Sequence, residues 1–286
     1  MTVRGTPHAY TRIVPEDILL ADPDGSPGNH TPSKVPQATL IFWVVKILAT
    51  TFGETGGDAL SMTLNLGYAV STVIFMAFFL ITLTFQVKSN RYHPVWYWAV
   101  VVATTTVGTT TSDYFDRTLG LGYVKSSIIL LTMVFLIRAL WKRTTGQIAV
   151  DHVTTRPNEI FYWLTILVSN TLGTALGDFV ADTAGIGFEK GSLIFAGLIA
   201  VVAALHFFSN IADSVLFWAA YVLTRPLGAT LGDTLTKPFE QGGLNLGRIS
   251  SSLVILAVMI LLIAVTRLRR RPVQRITPHI DSGATF

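Results

Sequence analysis

Residues 41–68 of this 286-residue chain recur three more times, and that recurrence limits what the chain can fold into more than any other feature. Counting from Trp43 as position 0, Trp98, Trp163 and Trp218 open three further copies, each preceded by an aromatic residue (Phe42, Tyr97, Tyr162, Phe217). Position +10 holds Gly53, Gly108, Gly173 and Gly228, and position +14 holds Gly57, Ser112, Gly177 and Gly232. Position +15 is always aspartate: Asp58, Asp113, Asp178 and Asp233. Position +24 holds Gly67, Gly122, Gly187 and Gly242, although the fourth copy delays its next helix to about Gly247. Several residue types held in register across four copies mark a tandem repeat. The step from Asp58 to Asp113 equals that from Asp178 to Asp233, while the step between them is longer. The copies therefore also form a doubled pair with a period of about 120 residues.

Half of the residues are hydrophobic, 13% are charged, and the mean hydropathy is +0.53. A soluble domain carries about a quarter charged residues, so the composition predicts an all-α integral membrane protein. Apolar runs near the length of ~20 residues that crosses a bilayer occur at 37–57, 67–87, 94–112, 121–141, 158–177, 190–209, 213–232 and 249–267. That reading gives eight transmembrane helices, two per repeat, within a domain spanning 37–268 (repeats about 37–90, 91–145, 156–210 and 211–268). Residues 1–36 are polar and rich in Pro, Gly and Asp and read as a disordered cytoplasmic tail, not a signal peptide; residues 269–286 read as a second cytoplasmic tail. Pro36, Pro94 and Pro157 fall where the first helix of three repeats should begin, as Pro is tolerated there.

Fourteen Lys and Arg residues fall on the side of the tails and the 88–93 and 138–156 loops, against five on the side of the aspartate turns (Arg117, Lys125, Lys190, Lys237, Arg248). The excess of positive charge marks the cytoplasmic face, so both termini are expected inside and the aspartates toward the outside. Two helices per repeat keep all four copies in one orientation, which predicts parallel repeats about an axis along the membrane normal. The net charge of +4 is therefore a matter of topology, and no nucleic-acid partner is expected. With no cysteine, disulfides and thiolate metal ligands are excluded.

On a helical projection, positions +10 and +14 form a small-xxx-small strip suited to close helix packing in lipid. The aspartate lies about 60° round the helix from the tryptophan, and Thr55, Thr110 and Thr230 (position +12) lie about 120° round. Four aspartates placed alike on parallel helices should converge, and Glu54 lies on the same side. Such a cluster either binds cations or holds protons, since like carboxylates close together cannot all ionise cheaply, and its oxygen ligands suit hard cations such as Mg²⁺, Mn²⁺ or Ca²⁺. Equally, each aspartate could cap the turn into its second helix. Two basic residues break the pattern. Lys46 is shallow enough to snorkel to the cytoplasm, whereas Arg225 lies near mid-membrane beside Pro226 and needs a partner, either a carboxylate or carbonyls freed by Pro226. Both are candidates for a gate or counter-charge. Asn170 should hydrogen-bond between helices. No soluble catalytic motif is present, and the Gly-x-Gly-Asp of intramembrane aspartyl proteases is missing, so an enzyme is not expected.

Four tandem two-helix units, each with Trp43, Trp98, Trp163 or Trp218 and a Gly-x-x-x-(Gly/Ser)-Asp segment, resemble a bacterial membrane-protein family described as a repeat of unknown function and often labelled membrane-anchored protein. The resemblance covers about residues 37–268 and implies the architecture and a bacterial inner-membrane setting, without a substrate. Ser112 and Pro226 depart from the repeat pattern. The functional expectation is a cation transporter, exporting or exchanging a divalent metal at Asp58, Asp113, Asp178 and Asp233 with help from Glu54, Thr55, Thr110 and Thr230. No cofactor is expected beyond a metal cation bound as substrate, the partner is the lipid bilayer, and a homo-oligomer is compatible with the sequence. Two other readings stand: a non-transporting scaffold or sensor working through its tails, and a transporter of an anion or organic cation through Arg225.

Overall fold

The computed structural model describes residues 34–89, 91–146, 148, 153 and 155–269, so both expected tails lie almost wholly outside the described residues. Among the described residues there are eight long α-helices and no strands. They are α1 (Leu40–Asp58), α2 (Gly67–Lys88), α3 (Pro94–Asp113), α4 (Tyr123–Thr145), α5 (Arg156–Asp178), α6 (Phe188–Phe208), α7 (Asp213–Thr236) and α8 (Arg248–Arg269). Each lies within a few residues of its apolar run. Pro94 and Pro157 occupy the first turns of α3 and α5. Pro36 does not begin α1: that helix starts at Leu40, capped by the Thr39 hydroxyl, which accepts from the Phe42 amide at 3.3 Å.

The four first helices form a closed inner ring, α1 against α3, α3 against α5, α5 against α7, and α7 against α1. Their partners lie outside, and each covers the next repeat instead of its own. Thus α2 lies on α3, α4 on α5, α6 on α7, and α8 returns to α1.

The small-residue strip is the contact around this ring. Position +10 of each inner helix meets position +7 of the next: Gly53 on Thr105, Gly108 on Asn170, Gly173 on Arg225, and Gly228 on Thr50. A Cβ at Gly228 would stand 2.3 Å from Thr50 Oγ1, and one at Gly53 would stand 2.5 Å from Thr105 Cβ. Backbones this close let hydroxyls cross the interface. Thr105 donates to Ala49 O at 3.1 Å and Thr50 to Thr224 O at 3.0 Å, while Asn170 Nδ2 donates to Thr104 Oγ1 at 3.0 Å. The tryptophans close the same ring at its other end. Trp98 packs on Phe42, Trp163 on Tyr97, Trp218 on Tyr162, and Trp43 on Phe217, with centroids 5.4–6.0 Å apart. Such aromatic pairs add about 0.5–1.5 kcal/mol each beyond their buried area.

At the aspartate end the first three inner helices do not stop but widen into five-residue π turns, Ala59–Thr63, Tyr114–Thr118 and Phe179–Thr183. The fourth cannot, because Lys237-Pro238 follows Thr236 and a short 3₁₀ turn, Phe239–Gln241, takes its place. The repeated +24 glycine then supplies a left-handed residue, with φ between 73° and 84° at Gly67, Gly122, Gly187 and Gly242.

Among the described residues five helices are long and apolar enough to cross a membrane: α2, α4, α6, α8, and α5 with its π turn. The outer four bury only 17–22% of their most apolar windows, and their remaining faces present Ile81, Phe135, Leu193 and Leu253 outward. The other inner helices fall short by composition, since α1 carries Lys46 and Glu54, α3 six threonines, and α7 Arg225. All of those polar groups except Thr111 are buried against neighbouring helices.

Candidate functional site

Ring packing turns positions +3, +7, +11 and +15 of the inner helices toward a common axis. A step of four residues advances a helix by only about 40° beyond one full turn, so these positions follow one ridge that drifts slowly around each helix. At the +15 level Asp58, Asp113, Asp178 and Asp233 come together, each at most 2% exposed. One level below, Glu54 joins them. Carboxylate oxygens of Glu54, Asp178 and Asp233 all lie within 4.8 Å of one another, and so do those of Glu54, Asp58 and Asp113. Glu54 is shared by both triads.

Basic side chains meet this cluster at every aspartate. Arg117 lies 3.0 Å from Asp113 and 3.5 Å from Asp178, Lys237 lies 3.4 Å from Asp233, and Arg248 lies 3.4 Å from Asp58. None of Asp58, Asp113 and Asp178 makes a side-chain hydrogen bond capping its turn, so the cap reading is corrected: these aspartates are ion-paired. Both Asp233 oxygens lack a hydrogen-bond partner. Lys237, just beyond the end of α7, is half of such a pair. Burial works against its charge, but Asp233 and Asp58 more than offset that and hold its pKa above the ordinary lysine value. Arg117 and Lys237 each follow their aspartate by four residues, a spacing legible in the sequence. Arg248 opens the last helix, and only the fold brings it to Asp58 at the end of the first.

Arg225 occupies the centre of the axis. It is fully buried, and from α7 it reaches the other three inner helices. Its guanidinium donates to Glu54 Oε2 at 3.0 Å and Thr50 O at 3.4 Å on α1, to Thr109 Oγ1 on α3, and to Thr174 Oγ1 on α5 at 2.6 Å. Its partner is thus a carboxylate, and the carbonyls below Pro226 are not involved. Thr109 completes the layer by donating to Gly53 O at 3.0 Å. Position +11, with Glu54, Thr109 and Thr174, is hidden from sequence reading as a layer, because only its angle, and no shared residue type, marks it.

Lys46, at +3, is corrected from a snorkelling residue to a fully buried one. Its Nζ has no hydrogen-bond partner and sits 4.2 Å over the Tyr221 ring. The position +12 threonines stand apart from the axis. Thr55 accepts from Ser252 of α8 at 2.8 Å, Thr230 donates back to Pro226 O at 2.9 Å beside Gly191 of α6, and Thr110 donates back to Thr106 O at 3.2 Å. Their angle carries them past the aspartate face and away from the carboxylate triads.

Compared with curated proteins and with solved structures, the chain matches none. A family model matches it in four consecutive stretches, residues 41–92, 96–147, 161–212 and 216–272, which together cover most of its length. The chain belongs to the family described as Repeat of Unknown Function (DUF347).

Proposed function

We propose that this protein is a multi-pass membrane transporter of cations, exporting or exchanging a divalent metal through the carboxylate cluster on its axis. All eight helices cross the bilayer in this reading, the inner four screened from lipid by the outer four, in a bacterial inner membrane with both termini cytoplasmic. The observation that carries it is the pair of carboxylate triads sharing Glu54. Two Ca²⁺–O bonds of about 2.4 Å span about 4.8 Å, the reach within which each triad's oxygens lie. Asp58, Asp113, Asp178 and Asp233 supply the ligands, and Arg117, Lys237 and Arg248 neutralise them between visits of the cation.

Arg225 is the internal counter-charge. Bound to Glu54 and to hydroxyls of two other helices, its guanidinium closes the axis below the triads. Passage then requires Glu54 to exchange Arg225 for the metal.

The test is Mn²⁺ flux into proteoliposomes for single Asp→Asn variants at the four positions, normalised to folded protein. Loss of a ligand should reduce flux about 10–100-fold, the scale on which metal-site substitutions act. Lower folded yield with unchanged flux per folded molecule would make the aspartates purely structural and end this reading.

A further inference from the structure

We propose that Lys46 is the proton-carrying site of the protein, giving up its proton as a cation enters the carboxylate cluster. This rests on the transport reading above and adds the exchanged ion to it.

The inference comes from the charges gathered on the axis. Among the described residues, five carboxylates, Glu54, Asp58, Asp113, Asp178 and Asp233, face five cations, Lys46, Arg117, Arg225, Lys237 and Arg248. Asp116 stands aside toward α4, where hydroxyls of Ser112 and Ser126 satisfy it. The axis is therefore neutral when every group is ionised. Excess charge in a low-dielectric interior is costly, so an entering cation must be matched by positive charge that leaves.

Three of the five cations are guanidiniums, which do not release a proton in proteins. Lys237 is held by Asp233. Lys46 has no carboxylate partner and no hydrogen-bond acceptor, only the face of Tyr221, so it loses least by becoming a neutral amine. For a divalent ion the second charge is offset at the rim, where Arg117 and Arg248 already touch solvent with 28% and 22% of their side chains exposed and can turn outward.

The surroundings of Lys46 set the direction. On α7, Tyr221 lies beneath it and Arg225 stands one helical turn further toward the carboxylates. On α3 and α5, Tyr97 and Tyr162 share a hydroxyl–hydroxyl hydrogen bond of 3.1 Å, and Val101 and Ile166, which hold the same repeat position as Lys46, are fully buried and apolar. A proton leaving Nζ is repelled by the Arg225 guanidinium on one side. On the other it meets the tyrosine hydroxyls and then the tryptophan end. The balance is one proton lost from Nζ to water at that end, leaving a neutral amine, for each cation bound.

Calorimetric titration of Mn²⁺ into the full-length, detergent-solubilised protein in two buffers of different ionisation enthalpy counts the protons released. Wild type should release about one proton more per bound Mn²⁺ than Lys46→Met, which fits the same apolar surroundings. Lys46→Arg, whose guanidinium keeps its proton, should lose that release as well. Equal release by wild type and Lys46→Met, or none by wild type, overturns Lys46 as the proton site while leaving cation binding intact. No Mn²⁺ binding by wild type overturns the transport reading and this one together.

Discussion

Replacing Glu54 by methionine probes whether the centre of the axis is a true ion pair. The substitution removes the one carboxylate bonded to Arg225 among the described residues, leaving its fully buried guanidinium with the hydroxyls of Thr109 and Thr174 and the Thr50 carbonyl. Breaking a buried pair by deleting one partner costs about 3–5 kcal/mol, because the other charge stays uncompensated. Arg225→Met should cost a similar amount by stranding Glu54 among four further carboxylates. The double variant removes both charges and puts apolar side chains of similar length in a packed layer. Such replacements of whole buried pairs are often neutral, so it should be less destabilised than either single variant. The coupling should exceed the upper end of ~0.5–3 kcal/mol seen for contacting residues. Equilibrium unfolding in mixed micelles, followed by tryptophan fluorescence, measures all four proteins. Additive costs would refute the pairing and show that Arg225 and Glu54 are held separately by their other neighbours.

Two further outcomes test the packing and the rim of the cluster. Gly228→Ala should abolish folding or lower folded yield severely, since its Cβ would meet Thr50 side chain and backbone at 2.3–2.7 Å, whereas Gly197→Ala, with nothing within 4 Å, should be neutral; folded yield by size-exclusion chromatography compares them. Lys237→Gln should destabilise at neutral pH. A lysine whose folded-state pKa is raised contributes fully below its unfolded value of about 10.4 and less as pH climbs beyond it. The wild-type advantage should therefore be full near neutral pH, shrink in alkaline solution as Lys237 loses its proton, and shrink in acid as Asp233 gains one. An advantage that keeps growing from neutral into alkaline solution would contradict the pairing with Asp233.

Helix positions are legible in the sequence because each repeat announces its own start and end: a tryptophan, a small-residue strip, an aspartate and a glycine. The axial role of the aspartates follows from helical angle alone. Their partners do not, because Asp58 and Arg248 meet only through closure of the ring. The threonines at +12 show the limit of such angles. A difference of about 60° from Asp58 is enough to place Thr55 against Ser252 on the outer helix. Lys46 differs from its expected place for a related reason. Its depth along the helix permits snorkelling, but its direction around the helix points it at Tyr221 and away from the lipid headgroups.

The handing of each outer helix to the following repeat has a consequence for biosynthesis. α1 leaves the ribosome first, yet the helix that covers it, α8, is made last. Glu54 likewise waits 171 residues for Arg225. On the proposed topology α1 until then carries Lys46 and an unpaired Glu54 into lipid, so early insertion depends on the translocon or on temporary contact with α3. Such long-range closure is slow and leaves the nascent chain open to misassembly. A chain truncated before α8 should still close the inner ring through α7 and α1, but the outer face of α1 stays uncovered, and quality-control proteolysis should find it there.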